Sequence, residues 1–341
     1  MPENLTPRQM VKGMLRGNPP PRPLFLPIVF SLGARVENLP LRVFLGNATK
    51  VSNSLRQIRA HLHSDGVACY FDPYLEAEAL GGELRWEGED QQPSIHWPSS
   101  PARGVLPEGL RSPEEAARSG RVAVALEVIR RLKSLLRDDP LLMAGVAGPF
   151  TLAARLTGLE CEDRLQLKDL PDAALELAAS ATQQISAALV EAGANVVFIQ
   201  ESILPALSAE SCETWASLLG PTVNIIRFYE ALPVLQLTSS RSFAENSAVI
   251  LQRSWDCIVC PALEGFSTES LSVIPSSSGT SLGVALPFEA FSLDDSGSEE
   301  LDRFIHQVIS GLRPAIVTTP GDVPSTIDMK RLIKVGENVR G

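Results

Sequence analysis

Short apolar runs recur along the whole chain, and segments with helical periodicity separate them. An apolar run without period-two alternation is typical of a strand that is covered on both faces, as in a parallel sheet. Apolar residues spaced three and four apart are typical of amphipathic helices. The predicted strands are 23–30, 66–72, 140–149, 194–202, 232–239, 255–263, 281–288 and 314–322. The predicted helices are 50–63, 112–136, 171–191, 209–230, 243–252 and 299–311.

Alternating strands and helices favour a closed barrel over an open, doubly wound sheet, because no glycine-rich dinucleotide fingerprint follows the first strand. We therefore predict a single (β/α)8 TIM barrel domain over residues 1–341. Residues 81–111, rich in Gly, Pro, Trp and acidic side chains, interrupt the pattern after strand two and predict an inserted β-hairpin and loop. A Ser/Gly-rich patch at 274–281 predicts a flexible connection.

Composition narrows the function classes. With 30 basic and 40 acidic residues, the net charge of −10 would repel a phosphate backbone, so nucleic acid is not an expected partner.

The polar start MPENLTPRQM contains no apolar segment like that of a leader peptide, and a cytoplasmic location is expected. The longest apolar stretch, 141–154, is interrupted by glycines and Pro149 and is too short for a membrane span. Five scattered cysteines do not resemble a disulfide framework.

Chemistry in such a barrel is expected at the carboxyl ends of the strands. Asp72 ends an apolar strand, where burial would raise its pKa and suit it to proton transfer; the alternative is that it caps a turn or helix. Arg35, Arg155 and Arg241 follow three different strands, and their guanidinium groups together would suit a substrate with several carboxylates. Each alone also fits a surface residue. The other candidate substrate-binding residues at strand ends are Tyr74, Glu201, Gln236 and Thr238.

A CxxC motif and a pair of glutamates after strand two are both explained by structural roles. Cys257 and Cys260 form a CxxC motif, but residues three apart in a strand point to opposite faces, which predicts buried core thiols rather than a zinc or redox pair. Glu76 and Glu78 begin the helix after strand two, where carboxylates complement the helix dipole, and Glu76 is near enough to reach the barrel mouth. No metal site and no cofactor are predicted.

Several of these segments resemble the uroporphyrinogen decarboxylase superfamily, which includes cobalamin- and coenzyme M-dependent methyltransferases. FDPYLEAEALGG (71–82) resembles the segment with the decarboxylase's catalytic Asp, and AGPFTLAARLTG (147–158) resembles the signature of strand three. IQES (199–202) and TTPGDVPST (318–326) resemble the ends of strand four and of the last strand. The resemblance implies a TIM barrel dimer in which Asp72 and Ser202 are catalytic.

The sequence also departs from both branches. The arginine-rich motif of the decarboxylase is reduced to FSLGAR, in which only Arg35 is retained, and its active-site Tyr corresponds to Arg155. The segment EAEALG (76–81) resembles the methyltransferases more closely than the decarboxylase. The zinc ligands of those methyltransferases would correspond to Gln236, Thr238 and about Gly321. Neutral Gln and Thr do not replace soft zinc ligands.

The resulting expectation is a divergent, metal-independent decarboxylase-like enzyme acting on a carboxylated, tetrapyrrole-like small molecule. Asp72 would serve as acid and base, and the three arginines would hold the carboxylates. A zinc-independent, cobalamin-linked methyltransferase and a catalytically inactive tetrapyrrole-binding protein are the alternatives.

Overall fold

The computed structural model describes residues 5–97, 103–136, 140–161, 165–262, 280–291 and 298–340. Eight parallel strands form a nearly closed barrel in the order β1-β10-β9-β8-β7-β6-β5-β2, and β3 and β4 form a separate antiparallel hairpin. The strands are β1 (Leu24–Phe25), β2 (Gly66–Tyr70), β3 (Glu83–Arg85), β4 (Ser94–His96), β5 (Leu141–Ala147), β6 (Val196–Glu201), β7 (Leu232–Leu237), β8 (Cys257–Pro261), β9 (Ser281–Ala285) and β10 (Ile316–Thr318). The predicted α/β barrel is confirmed.

In the described residues, helices precede β1, separate most successive strands of the barrel and follow β10. They are α1 (Pro7–Met14), α2 (Leu32–Val36), α3 (Leu41–Leu45), α4 (Ala48–Leu62), α5 (Leu75–Ala79), α6 (Pro113–Ala116), α7 (Gly120–Leu136), α8 (Pro149–Leu156), α9 (Asp172–Ala192), α10 (Ala209–Phe228), α11 (Ser240–Ile250), α12 (Ser298–Leu312) and α13 (Met329–Arg340). Among the described residues, no helix is long and apolar enough to cross a bilayer.

The barrel closes between β1 and β2 through one aspartate. The Asp65 N–H donates to the Phe25 carbonyl at 3.0 Å, and the Asp65 carboxylate accepts from the Phe25 N–H at 2.8 Å. Arg22 donates two hydrogen bonds of 2.8 Å to the same carboxylate. This bidentate pair fixes the geometry of the seam, because a guanidinium fork matches a carboxylate in one plane. These contacts join the two ends of the strand order.

The sequence locates the strands better than the short helices. Helices α2, α3 and α8 were not predicted, because five to eight residues are too few to show a helical period. The helix predicted after strand two, at Glu76 and Glu78, is α5. The predicted helix 112–136 is two helices, α6 and α7, which meet at Gly120 with φ +53°. A capping box between Ser112 and Glu115 begins α6. The end of the predicted strand 255–263 and most of the 274–281 patch lie outside the described residues.

The predicted insertion contains the β3–β4 hairpin, which packs beside α3. The Leu41 N–H donates to the Asp90 carboxylate at 3.3 Å, and the Arg42 N–H donates to the Glu89 carbonyl at 3.3 Å. Trp97 donates from its indole N–H to the Arg155 carbonyl at 3.3 Å. The hairpin is therefore attached to elements on the carboxyl side of the barrel strands.

Both thiols of the CxxC motif are buried in β8. Cys257 and Cys260 are at most 1% exposed, and burial raises the pKa of each thiol. A raised pKa keeps them as neutral thiols, which are poor nucleophiles and poor metal ligands. The structure agrees with the core interpretation.

Candidate functional site

Asp72 lies at the end of β2 in a buried ion pair with Arg121 of α7. Both guanidinium nitrogens Nη1 and Nη2 contact its carboxylate, and the Tyr74 N–H donates to Asp72 Oδ1 at 2.9 Å. The Asp72 side chain is only 1% exposed and that of Arg121 only 8%. The position predicted for the catalytic Asp is therefore at the mouth, but the carboxylate is held by a cation that sequence analysis did not identify.

Arg121 also binds a second carboxylate of the same segment. Its Nε donates to Glu78 Oε2 at 2.6 Å. Burial alone would lower the pKa of Arg121, but the charges of Asp72 and Glu78 raise it overall. The signal in the sequence is the position of Arg121 on the apolar face of α7, four residues before Ala125 and eight before Ile129, all of which are buried. A charged residue in a buried helical stripe requires a partner of opposite charge.

Glu76 of α5 is a buried carboxyl group that contacts the end of β5. It is 1% exposed, its Oε1 accepts from the Ala147 N–H at 3.0 Å, and its Oε2 has no hydrogen-bond partner among the described residues. Burial raises the pKa of Glu76 to about 7, the Arg155 charge opposes this, and the Asp72 charge adds to it. Both protonation states are therefore populated near neutral pH.

A fourth carboxyl group, that of Asp322, links the last strand to the first. It accepts from the Phe30 N–H at 2.8 Å and from the Ser31 N–H at 2.9 and 3.2 Å. Burial raises its pKa to about 6, and the charge of Asp72 contributes to the same shift. Asp72 is therefore close enough to influence the protonation of both Glu76 and Asp322.

The three predicted substrate-binding arginines have different surroundings. Arg155 donates to the Pro73 carbonyl, lies 3.4 Å from Glu160, and stacks 5.4 Å from the centre of the Tyr74 ring. Arg241 is 69% exposed and pairs with Glu245 one turn later in α11. Arg35 is exposed and donates to the Ser325 carbonyl. Two of the three charges are thus already paired with glutamates.

Glu201 is placed in the core rather than toward a ligand. Its carboxylate accepts from the N–H groups of Phe150 and Thr151, from the Thr151 hydroxyl at 2.6 Å and from the Trp215 indole at 2.9 Å. A Cβ at Gly148 would lie 2.3 Å from this carboxyl group, so glycine is required for the close approach. Burial raises the pKa of Glu201 even though these hydrogen bonds oppose it. The arrangement anchors the start of α8 and does not support the predicted contact of Glu201 with substrate.

The carboxyl ends of β6 and β7 carry three more of the predicted site residues, Ser202, Gln236 and Thr238. Ser202 is half-buried, and its backbone N–H donates to the Thr151 hydroxyl at 3.0 Å. Gln236 is fully buried; it accepts from Gln200 at 2.8 Å and donates to the Thr319 carbonyl at 2.9 Å. Thr238 is half-buried. Ser202 and Thr238 are thus partly accessible, whereas the Gln236 amide is used within the protein.

The positions that resemblance to the methyltransferases assigns to zinc do not fit that ion. The Gln236 amide is occupied by Gln200 and by the carbonyls of the last loop, and Thr238 and Gly321 provide no thiolate or imidazole. In the described part of the chain, no group of three or more His, Cys, Asp or Glu side chains is arranged to hold a metal ion. Zinc sites in proteins are formed by Cys, His and carboxylate ligands.

A cavity of about 860 Å³ opens beside Arg35 and Asp322. It lies among the end of the β1 segment, α2, the hairpin loop and the loop after β10. Ser31, Arg35, Asp90, Gln92 and Asp322 provide polar groups to its wall. This volume is in the range of pockets that hold small molecules.

Comparison with known proteins finds methyltransferases among the relatives. The methylcobamide:CoM methyltransferase MtaA of Methanosarcina barkeri is 30% identical over 128 residues, which are 37% of this chain and 37% of the relative. A methylated-thiol–coenzyme M methyltransferase of Methanosarcina mazei is 30% identical over 159 residues, which are 44% of this chain and 40% of the relative. The matched segments span less than half of these relatives.

Solved structures show the same fold over the whole chain. A methyltransferase from Methanosarcina mazei has a TM-score of 0.80 at 18% identity and covers 99% of this chain and 98% of its own. A B12-independent methionine synthase from Shewanella has a TM-score of 0.54 at 12% identity, with 87% and 89% coverage. The profile of the family described as uroporphyrinogen decarboxylase (URO-D) matches residues 6–226. The chain therefore belongs to the uroporphyrinogen decarboxylase family.

Proposed function

We propose that this chain is a metal-independent, decarboxylase-like enzyme that uses Glu76 as its proton donor. The observation that supports this function is a carboxyl group at the mouth that is 1% exposed, has a pKa of about 7, and has one oxygen without a partner in the described structure. A group with a pKa near the working pH both gives and accepts protons efficiently. The sequence analysis assigned the role of proton donor to Asp72, which lies four residues before Glu76.

Asp72 is proposed to remain a carboxylate throughout the reaction. Asp72 and Glu78 both pair with Arg121, so two carboxylates share one guanidinium group. Negative charge at this place favours positive charge that develops on a bound substrate. Asp72 would thus act as a fixed anion next to the proton donor.

The proposed reaction removes one carboxylate from an electron-rich, pyrrole-like ring. Glu76 protonates a ring carbon, and the C–C bond to the carboxylate of an acetate substituent breaks and releases carbon dioxide. The bonding electron pair neutralises the cationic ring and leaves an exocyclic methylene. A solvent proton then adds to the methylene carbon, and the ring carbon returns its proton to Glu76. In total one proton replaces one carbon dioxide.

The tetrapyrrole expected from the sequence fits this mouth less well than a smaller acid. Arg155 is paired with Glu160, and Arg241 is paired with Glu245. The expected group of three arginines that together bind several substrate carboxylates is therefore not present in that form. Arg35 lines the cavity and donates to a backbone carbonyl. We therefore propose a substrate with few carboxylates.

Methyl transfer is the second candidate, favoured by the names of the relatives. A methyltransferase without zinc would need another way to activate its acceptor, and Glu76 in its ionised form would be the base that removes the acceptor's proton. In this alternative the same residue acts, but no carbon dioxide is released. A protein that binds a ligand without catalysis is the third.

Purified protein is expected to contain far less than one zinc per chain. The reason is that the amide of Gln236 is already bonded and that Thr238 is a weak neutral ligand. Elemental analysis after dialysis against micromolar zinc measures this content. About one tightly held zinc per chain would contradict the expectation and would favour zinc-dependent methyl transfer.

The reaction type is tested by measuring two products in parallel. Carbon dioxide release from carboxyl-labelled pyrrole and indole acetates and from uroporphyrinogen is compared with methyl transfer from methylcobalamin to thiols. Glu76→Gln is expected to lower the rate of carbon dioxide release by about 10²–10⁴-fold. Glu83→Gln, an exposed residue of β3, is the matched control and is expected to retain activity. Methyl transfer without carbon dioxide would replace the first proposal by the second, and absence of both products would favour the non-catalytic alternative.

A further inference from the structure

The cavity beside Arg35 contains charges of both signs that do not pair with one another. Arg35, Asp90 and Asp322 all line it, and no ion pair joins Arg35 to either aspartate in the described structure. Their separation leaves a cavity that presents one cation and two anions to a ligand.

Backbone groups hold each of these three charges in place. Arg35 Nη1 donates to the Ser325 carbonyl, Asp90 Oδ1 accepts from the Leu41 N–H, and Asp322 accepts from the N–H groups of Phe30 and Ser31. In the described structure, Arg35 donates no hydrogen bond from Nε or Nη2, and Asp90 accepts none at Oδ2. These atoms are therefore available to a ligand, and the backbone contacts reduce the entropy that binding would cost.

The two aspartates come from segments that are distant in sequence. Asp90 is in the loop of the inserted hairpin, and Asp322 follows the last strand. Asp322 is also within electrostatic reach of Asp72, whose charge contributes to the raised pKa of Asp322. Asp322 is thus the lining residue that links the cavity to the side of the mouth where Asp72 lies.

We propose that this cavity binds a zwitterionic part of the substrate, with a carboxylate at Arg35 and a cationic nitrogen at Asp90 and Asp322. This inference rests on the proposed function and narrows its substrate class to carboxylated molecules that also carry an ammonium or similar group. A polycarboxylate is disfavoured because the two aspartates would repel it. A simple amine would leave Arg35 without a partner from the ligand.

The proposal is tested by binding, independently of catalysis. Three probes of equal chain length are titrated into the full-length protein by calorimetry or saturation-transfer NMR: 6-aminohexanoate, hexanoate and hexylammonium. A fourth probe is benzene-1,3,5-tricarboxylate. The zwitterion is expected to bind at least about tenfold more tightly than either singly charged probe, since charge-assisted hydrogen bonds form at both ends.

Two exposed residues provide the decisive variants. Arg35→Gln is expected to reduce the affinity for 6-aminohexanoate to that for hexylammonium, and Asp90→Asn is expected to reduce it about threefold to tenfold. Glu76→Gln should bind the probes normally, so an error in the proposed reaction and an error in this inference give different results. Equal binding of hexanoate and the zwitterion, tightest binding of the tricarboxylate, or unchanged binding by both variants would each overturn the inference.

Discussion

Arg121→Gln is expected to lower the free energy of unfolding by about 3–5 kcal/mol, the largest stability effect that we predict for a single side chain. The substitution leaves Asp72 and Glu78 without their shared cation, and Asp72 has a side chain only 1% exposed. An unpaired carboxylate in the interior costs much more than the ion pair itself contributes. Urea unfolding at pH 7, followed by circular dichroism, measures the change.

Arg131→Gln in the same helix is the matched control for this measurement. Arg131 pairs with Glu127 at 2.7 Å on the surface, where both side chains are more than 40% exposed. Exposed pairs of this kind contribute about 0.3–0.5 kcal/mol. Arg121→Gln combined with Asp72→Asn should recover part of the loss, because one of the uncompensated charges is removed. A loss no larger than that of Arg131→Gln would show that the buried pair does not stabilise the fold as proposed.

Glu76→Gln is expected to become about 3 kcal/mol more stable relative to the natural protein as the pH rises from 4.5 to 7. The folded protein holds the proton of Glu76 up to a pKa of about 7, whereas the unfolded chain releases it near the ordinary value of 4.5. Between these two values the natural protein loses stability with rising pH, because the unfolded state then binds fewer protons than the folded state. A difference of about 2.5 pKa units corresponds to about 3 kcal/mol.

Glutamine retains the carbonyl that accepts from the Ala147 N–H but does not ionise, so the variant lacks this loss. Unfolding by urea at pH 5 and pH 8 measures the change in the difference between the two proteins. Asp322 also titrates in this range, but it is present in both and cancels. Glu83→Gln, at an exposed position of β3, is the matched control for the same substitution outside the site. Parallel pH curves for Glu76→Gln and the natural protein would mean that Glu76 is already ionised in the fold.

The apolar runs and the amphipathic helices between them predict the barrel, because the strands of the barrel are covered on both faces. All residues of β2, β5, β7 and β8 are buried, and an uninterrupted apolar run is the sequence property that this burial requires. The hairpin in the insertion and the core position of Cys257 and Cys260 follow from equally local properties, namely turn-forming composition and strand geometry. Short helices such as α2 and α8 were missed because one or two turns leave no readable period.

The candidate site was only partly predictable, because its properties arise from pairs of residues that are distant in sequence. The sequence places Asp72 at the mouth, but the ion pair with Arg121 forms only when α7 packs on the segment after β2, 49 residues away. Likewise the sequence predicts Glu201 as a substrate-binding residue at a strand end, whereas in the structure the start of α8 and Trp215 surround its carboxylate.

The unpaired oxygen and raised pKa of Glu76 depend on burial against the Ala147 end of β5, about 70 residues away. Sequence by itself thus determined the strands, the barrel and the residues near its mouth, since hydrophobic periodicity is local. Tertiary structure decided which of those residues are paired, which are buried and which have a shifted pKa, since desolvation and ion pairing depend on what packs against each group.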